Sequence, residues 1–346
     1  MQVTGGLSPC WSLKKGTVPI TLIAALLLGC GDPKTATTSC PTHTVVANVA
    51  VGNLPSGLDA LPALNRVYVA NQGDATALAI LGTTNAVLGF PLLVGTAPQG
   101  VAANIVTQRV FVANQGSNSV SVIDGILNGV IGAPIPVGSN PIGIAVDSGT
   151  NRIYVTNNAD NTVSVIDGTT NAVLGGPIAV GGSPHGIGVN PNSNRVYVAN
   201  RTDNTVSVIN GATNNLIGSP IPVGSVPTGI GVNPQTNLIY VANNGDNTVS
   251  VINGGANTVT GSPITVGSGP YRLGVNATSN LIYVSNNLSN QITIINGATN
   301  TVICPPLKVG VSSVSKPTEI GVIPQTNRVY VAVEADNLVA VIASGP

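Results

Sequence analysis

Three observations in the 346-residue sequence predict an all-β fold, a seven-bladed β-propeller of four-stranded antiparallel blades. They are a sevenfold repeat, four short strand-like segments in each copy, and a displaced strand that closes the ring. The repeat is centred on Tyr68, Phe111, Tyr154, Tyr197, Tyr240, Tyr283 and Tyr330. The first six centres lie 43 residues apart and the last step is 47, so almost everything after the N-terminal segment is one unit copied seven times.

The third copy shows the four strands in order. Gly143-Ile144-Ala145-Val146 precedes a turn at 147–150, and Arg152-Ile153-Tyr154-Val155-Thr156 follows. A polar loop at 157–161 leads to Thr162-Val163-Ser164-Val165-Ile166, closed by Asp167-Gly168, and a fourth segment runs over 172–180. Each segment is short, rich in β-branched residues and bounded by Gly, Asn, Asp or Pro, which supply turn dihedrals and side-chain turn bonds. The fourth segment carries Pro91, Pro134, Pro177, Pro220, Pro263 or Pro306, and proline lacks the N–H a ladder needs, so this strand belongs at the outer edge. The first segment carries Ala102, Ala145, Gly188, Gly231, Gly274 or Gly321 at one register, as blades converging on an axis require.

The last copy ends in a third strand, Leu338-Val339-Ala340-Val341-Ile342. Residues 44–52 match the fourth-strand pattern, with Asn48 where the other copies have proline, and are expected to complete the seventh blade.

The second strands read Tyr154-Val155-Thr156-Asn157, Tyr197-Val198-Ala199-Asn200, Tyr240-Val241-Ala242-Asn243 and close variants, followed by Asn-Thr-Val-Ser-Val-Ile from Asn161, Asn204 and Asn247. Over residues 42–344 the chain resembles the YVTN family of β-propellers; the seventh copy departs at Val333. The resemblance implies a seven-bladed, extracytoplasmic, often surface-associated protein of the surface-layer type. It brings no agreed catalytic residues.

Residues 1–29 read as a targeting segment. Lys14 and Lys15 precede an apolar run over 18–28, too short for a comfortable transmembrane helix. Leu27-Leu28-Gly29-Cys30 resembles the lipobox of bacterial lipoproteins, although Leu28 is bulkier than its usual occupant. Cys30 is then the lipidated residue, 30–41 the tether and 42–346 the propeller, with an ordinary cleaved signal or a retained anchor as alternatives. The expected location is periplasmic or at the bacterial cell surface. Cys10 leaves with the leader; Cys40 and Cys304 remain as a candidate disulfide in an oxidising compartment.

Charged residues make up 7% and aromatic residues 3% of the chain, and the formal net charge is zero. With neither a basic patch nor stacking aromatics, a nucleic-acid partner is not expected. Cofactor fingerprints, phosphate loops and serine-nucleophile motifs are likewise missing from the sequence.

Residues that recur in every blade serve the blade, and those that break the pattern are the functional candidates. Asp74, Asp160, Asp203, Asp246 and Asp336 share one loop column and are expected to accept local backbone N–H groups in turns rather than to form a metal ring. The link into each inner strand ends in Pro-X-Gly, with X as Ser56, Gln99, Ile142, His185, Thr228, Tyr271 and Thr318. Arg272 and Glu319 replace the glycine in blades six and seven, and four extra residues fall within 311–316. Gln99, His185, Tyr271, Arg272, Lys316, Glu319 and Glu334 are the candidate contact residues at the mouth of the channel, in a solvated polar rim.

The expected function is binding, of a protein or an envelope polymer rather than a small molecule. An alternative pairs His185 with Glu319 as acid and base, an arrangement that resembles lyase and lactonase propellers. A further alternative is a structural component of the cell surface.

Overall fold

The computed structural model describes residues 43–344, all within one compact unit. The leader, Cys30, the tether and Cys40 lie outside the described residues. Seven sheets follow one another, each a meander of four strands. In blade three the inner strand Pro141–Asp147 pairs with Arg152–Asn157, which pairs with Thr162–Asp167. The outer strand is two short pieces, Ala172–Val173 and Ile178–Ala179, on either side of Pro177. Its pairing with the third strand alone is what an edge proline permits.

The ring closes as the sequence predicts. Thr44–Ala50 lies antiparallel to Leu338–Ala343, with Thr44 opposite Ala343 and Asn48 opposite Ala340, so the first strand of the chain is the fourth of blade seven.

The core lies between blades. Tyr68 of blade one packs with Val101, Val110 and Val112 of blade two, and Tyr330 of blade seven packs with Leu58, Val67 and Val69 of blade one. Each ring is fully buried, contributing on the order of 2–3 kcal/mol of apolar burial. The tyrosine hydroxyl then reaches the third-to-fourth turn of the next blade: Tyr68 Oη lies 3.3 Å from the Gly125 carbonyl and 3.1 Å from Asn128 Oδ1. Beside it Arg66 donates to the same Gly125 carbonyl, and in later blades Arg109 bonds in the same way to Gly168 at 2.7 Å and Arg152 to Gly211.

The recurrent asparagine stitches each blade internally. Buried Asn157 donates to Thr162 Oγ1 and Ser164 Oγ, both at 2.9 Å, and accepts from Gly138 N at 3.1 Å. The aspartate column is structural, but not through local turns. Asp160 accepts from Ser139 N and Asp246 from Ser225 N, both at 2.6 Å, each donor standing in the link that enters the same blade. The turn places the carboxylate over a neighbouring segment, and that segment's N–H groups outcompete its own.

Meander topology sorts the loops. The links into the inner strands and the second-to-third loops share one end of the ring, here the entry face; the first-to-second and third-to-fourth turns share the other, the far face.

Candidate functional site

The inner strands Pro55–Leu61, Pro98–Asn104, Pro141–Asp147, Pro184–Asn190, Pro227–Asn233, Pro270–Asn276 and Pro317–Ile323 line a central channel of about 330 Å³. In every one the register shifts just after the proline, for example between Pro141 and Ile144, so a bulge re-aims the X residue and its successor at the mouth. The glycine after X is a matter of space. A Cβ on Gly100 or Gly229 would lie 2.5 Å from the carbonyl oxygen of Ile142 or Tyr271 in the next blade. Arg272 and Glu319 occupy this crowded position, and both side chains line the channel.

Their chemistry joins four consecutive blades. Arg272 Nε lies 3.2 Å from Glu319 Oε2, and Arg272 also donates through Nη1 to the Thr228 carbonyl at 3.0 Å. Its guanidinium stands 5.1 Å above the Tyr271 ring. The same Thr228 carbonyl lies 2.9 Å from His185 Nδ1. A carbonyl only accepts, so Nδ1 carries the proton and Nε2 presents its lone pair to the Tyr271 hydroxyl at 3.5 Å, the long limit of a hydrogen bond. The two rings meet edge to face at 5.5 Å.

The expectation of a solvated rim is therefore corrected at its centre. Arg272 is 8% exposed and His185 4%, because Tyr271, Thr228 and the neighbouring strand enclose them. Burial, and then the Arg272 charge, push the His185 imidazole well below its ordinary range, so it stays neutral near pH 7. Burial likewise raises the Glu319 carboxyl, opposed by the Arg272 charge and the Ile320 N–H and reinforced by the charge of Asp59.

Asp59 is the channel residue that the sequence reading passed over. It stands in blade one at the register where other blades carry Ala102, Ala145 or Gly188, two residues further along the strand than the level of Glu319. Same-face neighbours on a strand are about 6.6 Å apart, so it lies one step deeper in the channel. Its Oδ1 accepts from Ala60 N at 2.7 Å and its Oδ2 from Ala103 N at 2.9 Å, yet burial outweighs both bonds and raises its carboxyl to about 6. The signal was available: a charged residue in a column of Ala and Gly is as strong a break as Arg272.

The remaining candidates stand apart from this set. Gln99 Nε2 donates to Gln115 Oε1 at 3.2 Å. Lys316 is exposed, and its carbonyl accepts from Glu334 N at 3.1 Å, fixing the inserted link to the loop of blade seven. Cys304 is disulfide-bonded, while Cys40 lies outside the described residues. Among the described residues no group of three or more His, Cys, Asp or Glu side chains is placed to hold a metal ion.

No family model matches the chain, and no curated protein matches it. Among solved structures it is similar to Kuenenia stuttgartiensis hydrazine synthase, with a TM-score of 0.75 at 18% identity over 85% of this chain and 97% of that one. At that identity the likeness is one of fold, the β-propeller.

Proposed function

We propose that this protein is an extracytoplasmic binding module, tethered to a bacterial membrane through a lipid on Cys30, that meets its partner with the entry face around blades four, six and seven. The partner is a protein or a cell-envelope polymer. The YVTN-like repeats support a surface-associated, periplasmic or cell-surface setting. One observation carries the choice of binding over catalysis: the ionisable groups at the mouth are committed to one another. His185 is held neutral with its Nδ1–H donating to the Thr228 carbonyl, and Arg272 is divided between Glu319 and that same carbonyl. Such an arrangement rigidifies a recognition surface, whereas acid/base catalysis needs a group free to exchange its proton with substrate.

A second reading is favoured by one observation. Asp59 and Glu319 share a channel, and burial raises both carboxyls, that of Asp59 to about 6, the condition of a proton-donating acid. On this reading the protein is a small-molecule hydrolase or lyase, and Glu319→Gln or Asp59→Asn abolishes turnover while the ring stays folded.

Thermal unfolding of the purified protein against wall fragments, sugars and lactones tests both readings. A ligand at one hundred times its Kd adds about 2.7 kcal/mol to stability. A shift lost in a His185→Ala, Glu319→Ala variant, without product formation, supports binding at the entry face. Product formation from any panel compound replaces that reading with the enzymatic one.

A further inference from the structure

Each surface position has equivalents in the other blades to compare it with, and blade two breaks the pattern on the far face. Its first-to-second turn carries Ile105 and Val106 where blades three and four have Ser148-Gly149 and Pro191-Asn192. Its third-to-fourth turn carries Ile126 and Leu127 where the same blades have Thr169-Thr170 and Ala212-Thr213. These four side chains are exposed, Leu127 by 81% and Val106 by 68%. The two turns are joined, since Gly125 N donates to the Gln108 carbonyl at 2.8 Å. The patch continues onto the outer strand of blade one, Val87–Leu93, through Asn128 Nδ2 and the Leu88 carbonyl at 3.2 Å. There Phe90 is 89% exposed.

Two features single out the occupant. The aliphatic groups sit on the tips of protruding turns, a shape that enters a soft apolar layer, whereas a peptide helix or strand needs a groove or a sheet edge. The polar groups of the tip are turned inward: Asp124 Oδ1 accepts from Ile126 N at 2.8 Å and Leu127 N at 2.9 Å, while Arg66 Nη1 donates to the Ile126 carbonyl at 3.1 Å. The second feature is where the chain enters the ring. Thr44 lies opposite Ala343, and Ser344 N donates to the Asn327 carbonyl in a first-to-second turn at 3.0 Å, which puts the start of the first strand on this same far face.

We infer that the far face of blades one and two docks on a lipid bilayer, with Ile105, Val106, Ile126 and Leu127 inserted among the acyl chains and the entry face turned away from the membrane. The inference rests on the reading of Cys30 as the lipid anchor. From Cys30 to Thr44 the extended chain spans at most about 50 Å, which keeps the far face within reach of the surface.

The test uses the lipidated protein beginning at Cys30, from which the single tryptophan, Trp11, has been removed with the leader, and one reporter at a time: Leu127→Trp on the far face, or Leu288→Trp, an exposed site in the second-to-third loop of blade six on the entry face. Each is mixed with phosphatidylethanolamine/phosphatidylglycerol vesicles containing acyl-brominated lipid. The Leu127→Trp emission is expected to fall by roughly half or more, as for a group buried at the acyl boundary, and the Leu288→Trp emission to stay unchanged. In the otherwise native chain, Ile126→Asp with Leu127→Asp is expected to lower vesicle partitioning by about a hundredfold or more, the scale of two large aliphatic side chains withdrawn from lipid. Equal quenching of both reporters, or quenching of neither, overturns the inference. So does a wild-type dimer that Leu127→Asp dissociates without any quenching, which would make the occupant a second copy. Loss of vesicle flotation overturns both the docking and the anchor but leaves a ligand shift at the entry face standing, so the two readings fail separately.

Discussion

His185 and Arg272, carried by blades four and six, converge on one acceptor, the Thr228 carbonyl of the blade between them, at 2.9 and 3.0 Å. Two donors on one carbonyl place a cation beside an imidazole, and the imidazole yields by staying neutral. The arrangement fixes both the tautomer of His185 and the position of the guanidinium that Glu319 meets.

This arrangement makes stability pH-dependent with a definite sign. The folded His185 pKa is lowered, so below about 6.5 the unfolded chain binds a proton that the folded chain refuses. Stability from this group is complete above that pH and falls as pH drops beneath it, by no more than about 2 kcal/mol at pH 5. His185→Asn keeps a donor for the Thr228 carbonyl and is expected to remove this share of the slope. Urea unfolding at pH 7, 6 and 5 measures it, and an unchanged slope would show that His185 titrates normally in the folded protein.

The Arg272–Glu319 pair replaces two glycines of the repeat, and the repeat itself supplies the control. Arg272→Gly alone strands a partly buried carboxylate and is expected to cost about 2–4 kcal/mol. The double variant Arg272→Gly, Glu319→Gly restores what the first five blades carry and is expected to recover most of that loss. A double-mutant cycle by chemical denaturation gives the coupling directly, and additive single losses would mean that the two side chains do not interact.

Asp59 gives the opposite pH dependence. Its folded carboxyl is raised to about 6 from an ordinary value near 3.8, so the folded state holds the proton more tightly, and stability falls as pH rises from about 4 to about 6. The loss is of order 1–3 kcal/mol. Asp59→Asn is expected to flatten this window while forfeiting one of the two backbone hydrogen bonds that the carboxylate accepts. The difference between variant and wild-type unfolding curves at pH 4, 5, 6 and 7 isolates the effect from that of His185, and a difference that does not vary with pH would place Asp59 in water.

Fold and site were legible to different depths for a physical reason. Backbone demands repeat with the blade: proline at the edge, Ala or Gly at the axis, Tyr between blades. Any residue answering such a demand announces itself in six of the seven copies, and the displaced strand at 44–52 was found in the same way. The site consists of departures, and a departure shows where to look without showing its surroundings. The burial of Arg272 depends on the Tyr271 ring and on a carbonyl from blade five, which no spacing reveals. Asp59 escaped notice because its column was read for smallness alone, and the aspartate column misled because its donors sit in a preceding link rather than in the turn. The apolar turns of blade two were visible as letters, but only the fold puts Ile105 beside Ile126.

Blade seven carries its own experiment on the recurrent asparagine. Elsewhere the buried amide bridges to hydroxyls on the third strand, as Asn157 does to Thr162 and Ser164. In blade seven the same three places hold Val333, Leu338 and Ala340, paired in the same register and packed in one apolar cluster. The two solutions exclude intermediates. Asn157→Val alone leaves Thr162 and Ser164 without the amide that satisfies them and is expected to cost about 2–4 kcal/mol, from lost hydrogen bonds and stranded hydroxyls. Adding Thr162→Leu and Ser164→Ala removes those hydroxyls, supplies apolar contact and is expected to return the protein to within about 1 kcal/mol of wild type. The Gly138 N–H, which donates to Asn157 Oδ1, lies near the entry face where water replaces the lost acceptor. Recovery in the triple variant, read by thermal and urea unfolding, would establish the asparagine as an element of blade construction. Failure to recover would mean that Asn157 acts chiefly through Gly138 and the link into its blade.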